Sequence, residues 1–286
     1  MIQRAKTIQI YLPSGDAQGL RIAEVTTRIV QTIEVPRSKL EDFVALPESS
    51  QVGIYFLFGR DEDKGDRLYI GQSGDLRGRL TAHHKQKDFW QRALVWVSRT
   101  NSLTQTHALY LEWACLQAAA RAGRYALENG NEGSKPHTPA PLEADCQEIF
   151  ETGATLAATL GFPMFDAYSR TSGAPEERVY HCTAAGADAR GLYTDEGFVV
   201  LAGSMGRREN VKSIQGTAMA VMRERLVTSG VVRVEGERIV FARDYLFGSS
   251  SSAAMAVLGR SSNGWVTWKL ADGRTLDEVE RGGATT

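Results

Sequence analysis

The chain has 286 residues, of which 42% are hydrophobic and 23% charged, and its net charge is −1. That length allows two domains, and the composition is ordinary for a soluble globular protein. No apolar run is long enough to cross a bilayer, and residues 1–6 lack the apolar core of a signal peptide, so we expect a cytoplasmic protein without a membrane partner.

Charge is unevenly distributed along the chain. Lys and Arg outnumber Asp and Glu by 12 to 9 in residues 51–135 and again in residues 198–286, whereas residues 136–197 carry 3 basic and 10 acidic residues. Two mildly basic segments therefore flank an acidic one. This distribution allows a phosphate-binding surface without requiring one.

The first 50 residues are predicted to form an N-terminal β-rich segment. Alternating apolar and polar residues indicate half-buried strands at 7–12 and 28–35. A short helix is expected after Pro36, with Ser38 as its cap. Its buried side consists of Leu40, Phe43 and Val44.

Residues 51–131 are predicted to form a compact β-β-α-β-α module. Ser73 or Asp75 can cap the first helix, since both side chains accept hydrogen bonds from backbone N–H groups. The fold expected here is α+β, with a small three-stranded antiparallel sheet flanked by helices. The elements in order are strands at 52–58 and 68–70, a helix from Leu76 to His83, a strand at 93–97, and a helix from Leu103 to the stop at Asn129-Gly130-Asn131.

Residues 132–177 are predicted to be a linker and a connecting helix. Three prolines within 136–141 cannot continue a helix, and Pro141 suits the first turn of a helix that ends at Gly161. We expect a second α+β domain over 178–286. Its predicted strands are 179–182, 197–202, 231–234 and 238–242, and its predicted helices are 217–228 and 249–258.

Two tripeptides in the 51–131 module place two phenol hydroxyls in one small sheet, and a set of polar residues follows them. The tripeptides are Gly53-Ile54-Tyr55 and Tyr69-Ile70-Gly71. Arg79 follows the second tyrosine by ten residues and His83 lies four further on, while Glu112 lies on a later helix and an asparagine ends the module. In residue identity and spacing, residues 51–131 resemble the GIY-YIG endonuclease family.

The resemblance implies the GIY-YIG nuclease fold and metal-dependent hydrolysis of phosphodiester bonds, with DNA as the expected nucleic-acid partner. It makes Glu112 the metal ligand, Mg²⁺ the cofactor and Mn²⁺ a substitute. Asn131 competes with Asn129 as the closing asparagine. The catalytic residues that the resemblance implies are Tyr55, Tyr69, Arg79, His83, Glu112 and Asn129.

The residue types suit this chemistry. Arg79 and His83 are four apart and share a helix face, and the planar fork of an arginine can give two hydrogen bonds to a phosphoryl group. The lone carboxylate of Glu112 can hold one hard cation if water and substrate phosphate supply the other ligands, which implies a one-metal mechanism. Tyr55 is the expected general base, and nearby positive charge has to lower its pKa from about 10. Tyr69 then orients water or phosphate together with the imidazole.

Each of these residues also has a structural interpretation. Tyrosines favour strands, a solvated helix face can carry arginine and histidine, and Asn129-Gly130 is an ordinary helix stop. Their joint spacing favours a site. One alternative function is a catalytically inactive nucleic-acid- or protein-binding module. The other is an RNase, since the sequence shows no site residue that would recognise a 2′-hydroxyl and so distinguish RNA from DNA.

Other chemistries have less support. Gly71 and Gly74 are not followed by the lysine and hydroxyl of a phosphate-binding loop. His181 and Cys182 are adjacent in a strand and therefore point to opposite faces. The serines at 249–252 suit a helix cap. The cysteines lack the spacing of a zinc site or disulfide framework, and we expect reduced structural thiols at Cys115, Cys146 and Cys182.

Two stretches of the second domain resemble a domain of unknown function often found after bacterial GIY-YIG modules. They are 198–204 and 251–269. Trp265 and Trp268, with Arg260 and Lys269 nearby, can stack on bases and hold phosphates. A core aromatic cluster is the favoured interpretation of the tryptophans. A substrate-recognition role is the hypothesis for this domain.

Overall fold

The computed structural model describes residues 5–61, 65–130, 133–168 and 178–282. The chain divides into two compact units, the first ending at Asp166 and the second beginning at Ala167. Both units combine helices and strands, so the predicted α+β class is confirmed. Within the described part of the chain, no helix has the length and apolarity of a membrane span.

One seven-stranded sheet organises the first unit. Its strands are β1 (Ile8–Tyr11), β2 (Arg21–Val25), β3 (Val30–Pro36), β4 (Gly53–Asp61), β5 (Gly65–Ser73), β6 (Trp90–Ser98) and β7 (Ala126–Leu127). Their order in the sheet is β1-β2-β3-β6-β4-β5-β7. β5 and β7 are parallel, and every other neighbouring pair is antiparallel.

The expected three-stranded sheet is the centre of this larger one. β6, β4 and β5 correspond to its three predicted strands, and β3 pairs with β6 from Val30 opposite Ser98 to Pro36 opposite Arg92. All seven residues of β3 are buried. The N-terminal segment therefore continues the sheet, because an unpaired edge of β6 would leave a row of backbone groups without partners.

Helices cover both faces of the sheet. They are α1 (Leu40–Val44), α2 (Leu76–Gln86), α3 (Gln105–Ala122) and α4 (Ala140–Thr159). Side chains alternate along β4, so Tyr55 and Leu57 join the core under α1 and α2, while Ile54 and Phe56 join the core under α3 and α4. α4 packs on α3, β2 and β3 and buries Ile149 and Leu156 in that second core.

The helix boundaries partly follow the prediction. Asp75, one of the two predicted caps, accepts the N–H of Gly78 at the start of α2. Ser38 does not cap α1, because it lies in a 3₁₀ turn and Lys39 precedes the helix. α3 ends at Ala122, before the predicted stop at Asn129-Gly130-Asn131, because the following Gly123 adopts a left-handed conformation with φ of +66° that glycine tolerates best.

The second unit contains two antiparallel sheets. Its strands are β8 (Tyr180–Cys182), β9 (Ala189–Thr194), β10 (Gly197–Val200), β11 (Met205–Arg207), β12 (Val232–Glu235), β13 (Arg238–Phe241) and β14 (Tyr245–Phe247). The four-stranded sheet has the order β14-β10-β9-β8 and the three-stranded sheet β11-β13-β12. Its helices are α5 (Ala218–Thr228), α6 (Ser250–Leu258), α7 (Gly264–Thr267) and α8 (Leu276–Glu280). α6 packs against strands of both sheets, which forms the core of this unit.

Candidate active site

The two glycines of the tripeptides are required by close packing in the β4–β5 hairpin. Tyr55 lies directly opposite Gly71. A Cβ atom on Gly71 would come within 2.3 Å of the Tyr55 hydroxyl oxygen, so only glycine lets the phenol ring lie over strand β5. A Cβ atom on Gly53 would come within 2.4 Å of the Trp96 carbonyl oxygen and 2.9 Å of Leu76 Cδ1. Gly53 therefore allows the start of α2 to approach the sheet.

Tyr55, Arg79 and His83 meet through their polar atoms. The two α2 residues are one turn apart, and Arg79 Nε donates to the Tyr55 hydroxyl oxygen at 3.0 Å. His83 Nε2 lies 2.8 Å from the same oxygen. The Tyr69 ring stacks beside that of Tyr55, with centroids 6.1 Å apart and planes at 26°. Three of the predicted site residues thus lie around the side chain of a fourth, Tyr55.

His83 is neutral at physiological pH. Burial, and to a smaller extent the charges of Arg79 and Lys87, lower its pKa to about 4. Its side chain is 4% exposed, and among the described residues its Nδ1 has no hydrogen-bond partner. His83 Nε2 and the Tyr55 hydroxyl share one hydrogen bond, and the tautomer of the imidazole sets which of the two donates.

Tyr55 keeps its proton in this environment. Burial raises its pKa above the usual value, and this effect exceeds the opposing hydrogen bond from Arg79. The interaction with Tyr69 also raises the pKa of Tyr55. The Tyr55 hydroxyl thus accepts a hydrogen bond from Arg79 and shares another with His83. The expected effect of neighbouring positive charge is present, and it is smaller than the effect of burial.

Tyr69 is the more accessible tyrosine of the pair. It is half-buried, whereas Tyr55 is fully buried. Lys87 Nζ lies 4.4 Å from the centroid of the Tyr69 ring, and Arg79 is close enough for Tyr55, and to a smaller extent Tyr69, to raise the pKa of Arg79. Lys87 is absent from the sequence-based site, although its position four residues after His83 continues the spacing of the two α2 residues. Two cationic side chains thus lie beside Tyr69.

Glu112 on α3 belongs to the same electrostatic group. Burial raises the pKa of its carboxyl, while a hydrogen bond from the Gln72 main chain and the charge of Arg79 oppose that rise. The side chain is half-buried. Gln105 Nε2 donates to Gln72 Oε1 at 2.6 Å, which holds the start of α3 against the end of β5. Arg79 therefore acts on both the tyrosine pair and this carboxylate.

A partly desolvated carboxylate fits a single hard cation. No group of three or more His, Cys, Asp or Glu side chains arranged to hold a metal occurs among the described residues. Mg²⁺ is commonly held by one or two carboxylates, with water and substrate phosphate as further ligands. Glu112 meets this requirement, and a cation beside it would offset the cost of burying its charge.

Asn129 stands apart from the four converging residues. Its Oδ1 accepts the N–H of Ile70 at 3.0 Å, and its Nδ2 donates to the Ile70 carbonyl at 2.7 Å. The amide therefore pairs with β5 as a neighbouring strand would, just beyond the end of β7. This contact holds the strand that carries Tyr69, which makes Asn129 a positioning residue. The competing Asn131 lies outside the described residues.

Of the two tryptophans predicted to stack on bases, Trp268 lies inside the second unit. Trp268 is fully buried and its Nε1 donates to the Ser250 carbonyl at 3.0 Å. The Trp265 ring is covered by the guanidinium of Arg281, 3.5 Å from its centroid. The core interpretation of Trp268 is thus confirmed, and the stacking interpretation of it is wrong, because both its ring and its N–H are used inside the fold.

Comparison with protein families gives a match in the second unit. Residues 180–280 match a family described as a domain of unknown function (DUF4357). The match lies within the second unit, covers less than half of the chain and assigns no activity. No curated protein matches the chain, and no solved structure matches it.

Proposed function

We propose that this protein is a metal-dependent endonuclease that hydrolyses phosphodiester bonds in DNA. In this proposal residues 51–131 are a catalytic module of the GIY-YIG type. The observation that carries it is the convergence of Arg79 Nε and His83 Nε2 on the Tyr55 hydroxyl, at 3.0 and 2.8 Å, with the charge of Arg79 also acting on Glu112. A structural role for each residue separately would not require this convergence.

Arg79 is suited to stabilise the transition state. Its side chain is exposed, only its Nε is committed to Tyr55, and it has no carboxylate ion-pair partner among the described residues. Negative charge develops on the nonbridging oxygens when water attacks a phosphodiester. A preorganised guanidinium stabilises that charge without reorganising.

In this proposal Tyr69 is the general base, whereas the sequence favours Tyr55. The side chain of Tyr69 is the more accessible of the two, and the cationic side chains of Lys87 and Arg79 lie beside it. Tyr55 keeps its proton and can donate it in a hydrogen bond to Tyr69. His83 holds Tyr55 in the orientation this requires.

Glu112 would hold the cofactor in this site. A bound Mg²⁺, or Mn²⁺ in its place, supplies neutralisation of the phosphate charge and activation of water. The contribution of the chain is a partly buried carboxylate next to the transition-state arginine. With one carboxylate, the arrangement is that of a one-metal mechanism.

The test is a cleavage assay on single-stranded, duplex and branched DNA and on RNA, each with Mg²⁺ and with chelator. We expect metal-dependent cleavage of DNA, loss of cleavage in Glu112→Ala, and retained cleavage in the control Glu41→Ala, which removes an exposed carboxylate of the same unit. Cleavage of RNA alone would favour the RNase alternative. If no substrate is cleaved, or if Glu112→Ala cleaves as fast as the wild type, the nuclease proposal is wrong and the binding-module alternative is favoured.

A further inference from the structure

The three-stranded sheet of the second unit has one exposed face rich in arginine. Residues directly opposite each other in an antiparallel pair point to the same side. Arg207 lies opposite Arg238, and Met205 and Arg233 both lie opposite Val240. The arginines at 233 and 238 are exposed and Arg207 is half-exposed. The opposite face consists of Gly206, Val232, Val234, Ile239 and Phe241, which are buried except for Val234.

The arginines of this exposed face have no acidic partner. Among the described residues, none of Arg207, Arg233 and Arg238 forms an ion pair. Glu235 is the residue directly opposite Arg238 on β12, but the two side chains do not form an ion pair. Glu235 is the only acidic residue among the paired positions of this face. Like charges directly opposite each other destabilise a sheet. The Arg207–Arg238 pair therefore carries a cost that a bound polyanion would remove.

A fourth arginine adds positive charge from behind this sheet. Arg223 on α5 is 6% exposed and donates to the carbonyl of Arg207 and to Asn210 Oδ1. Burial lowers its pKa to about 10, and the charge of Arg207 acts in the same direction. Its Nε has no partner among the described residues. Arg223 thus fixes the backbone from which Arg207 projects and strengthens the field at that surface.

We infer that this arginine face, formed by Arg207, Arg233 and Arg238, binds the phosphate backbone of a nucleic acid through sequence-independent contacts. The inference rests on the proposed function in taking the polyanion to be the nucleic acid that the protein cleaves. Three guanidinium groups on three adjacent strands suit a row of phosphates, because each fork can give two hydrogen bonds to a phosphate. Met205 and Val240 between them offer an apolar strip for the sugars.

The test measures binding of a short fluorescein-labelled single strand and of the matching duplex by fluorescence anisotropy, in chelator. Without metal the readout does not depend on cleavage, so failure here is distinguishable from failure of the nuclease proposal. The variant is Arg207→Gln/Arg233→Gln/Arg238→Gln in the full chain. The matched control is Arg121→Gln/Arg190→Gln/Arg225→Gln, which removes the same charge from exposed arginines elsewhere.

We expect the arginine-face variant to bind at least about tenfold more weakly at ~0.1 M salt, and its plot of log affinity against log salt to be shallower by about 2 to 3. The control should keep most of the affinity and slope. Thermal unfolding of the arginine-face variant should occur at the same or a higher temperature than in the wild type, since like-charge repulsion is removed.

Three results would overturn the inference. The first is an equal loss of nucleic-acid affinity in the arginine-face variant and in the control. The second is that the wild type binds neither nucleic acid. The third is that the arginine-face variant keeps its DNA affinity but no longer binds labelled polyglutamate. The last result would assign the surface to an acidic protein.

Discussion

The Tyr55 ring lies on the backbone of Gly71 so closely that a Cβ atom there would be 2.4 Å from its Cζ. This contact explains why a tyrosine at the end of one tripeptide is matched by a glycine at the end of the other. It also fixes the position of the hydroxyl that Arg79 and His83 share. The same contact therefore determines both the packing of the hairpin and the geometry of the candidate site.

Gly71→Ala should damage both stability and activity. The added methyl group has to displace the Tyr55 ring, and overpacking of this kind costs about 1–3 kcal/mol of unfolding free energy. Urea unfolding measures the cost. Gly130→Ala is the control, because a Cβ atom at Gly130 meets nothing within 4 Å. Equal stability of the two variants would contradict the close contact.

Arg79→Lys should lower kcat by about 10²-fold or more, although the charge is conserved, because lysine cannot contact Tyr55 and a phosphate with a fixed fork. The measurement is single-turnover DNA cleavage. Arg77→Lys, two residues earlier on α2, is the control, since the Nε of Arg77 donates to Ser49 outside the site. A similar decrease in both variants would indicate a general effect of altering this helix.

His83 should make stability depend on pH. Its pKa is about 4 in the folded protein and about 6.5 when unfolded, so the unfolded chain binds the proton more readily. The unfolding free energy is therefore unaffected by His83 protonation above pH ~6.5. It falls by about 3 kcal/mol as the pH decreases towards 4. Urea unfolding of His83→Gln across this range should show a smaller loss than the wild type. His84→Gln, at the exposed neighbouring position, should match the wild type.

The two tyrosines should differ in the pH dependence of kcat. Tyr69→Phe should remove the ionisation of the general base from the profile, whereas Tyr55→Phe should keep it, because the buried Tyr55 retains its proton. Profiles of both variants in Mg²⁺ test this assignment. If the ionisation is retained in Tyr69→Phe and lost in Tyr55→Phe, Tyr55 is the general base.

The order of β4, β5, α2, β6 and α3 could be predicted from the sequence. The residues that meet at the Tyr55 hydroxyl could be selected from their spacing along the chain. The β4–β5 hairpin and α2 have strong local patterns, namely two apolar runs about a charged turn and Asp75 before a helical repeat. β2 and β7 lack such patterns, since β2 alternates weakly and β7 has two residues. Their pairing is decided by partner strands distant in sequence.

The balance of forces at the site could not be predicted. The sequence indicates positive charge near Tyr55, and this charge is present in Arg79. How deeply the hydroxyl is buried depends on the packing of α2 against β4 and β5, and this burial decides the direction of the pKa change. In the same way, a tryptophan beside basic residues fits either a nucleic-acid surface or a core until the fold places Trp268 inside.

The most direct measurement of the central claim is single-turnover cleavage of labelled DNA by wild type and Glu112→Gln over a Mg²⁺ titration. Glutamine preserves the size of the side chain and removes the charge that would hold the cation. The account predicts saturable Mg²⁺-dependent cleavage by the wild type and a rate lower by about 10²-fold or more in the variant. Equal rates with the same Mg²⁺ dependence would contradict a metal-dependent nuclease site at Glu112.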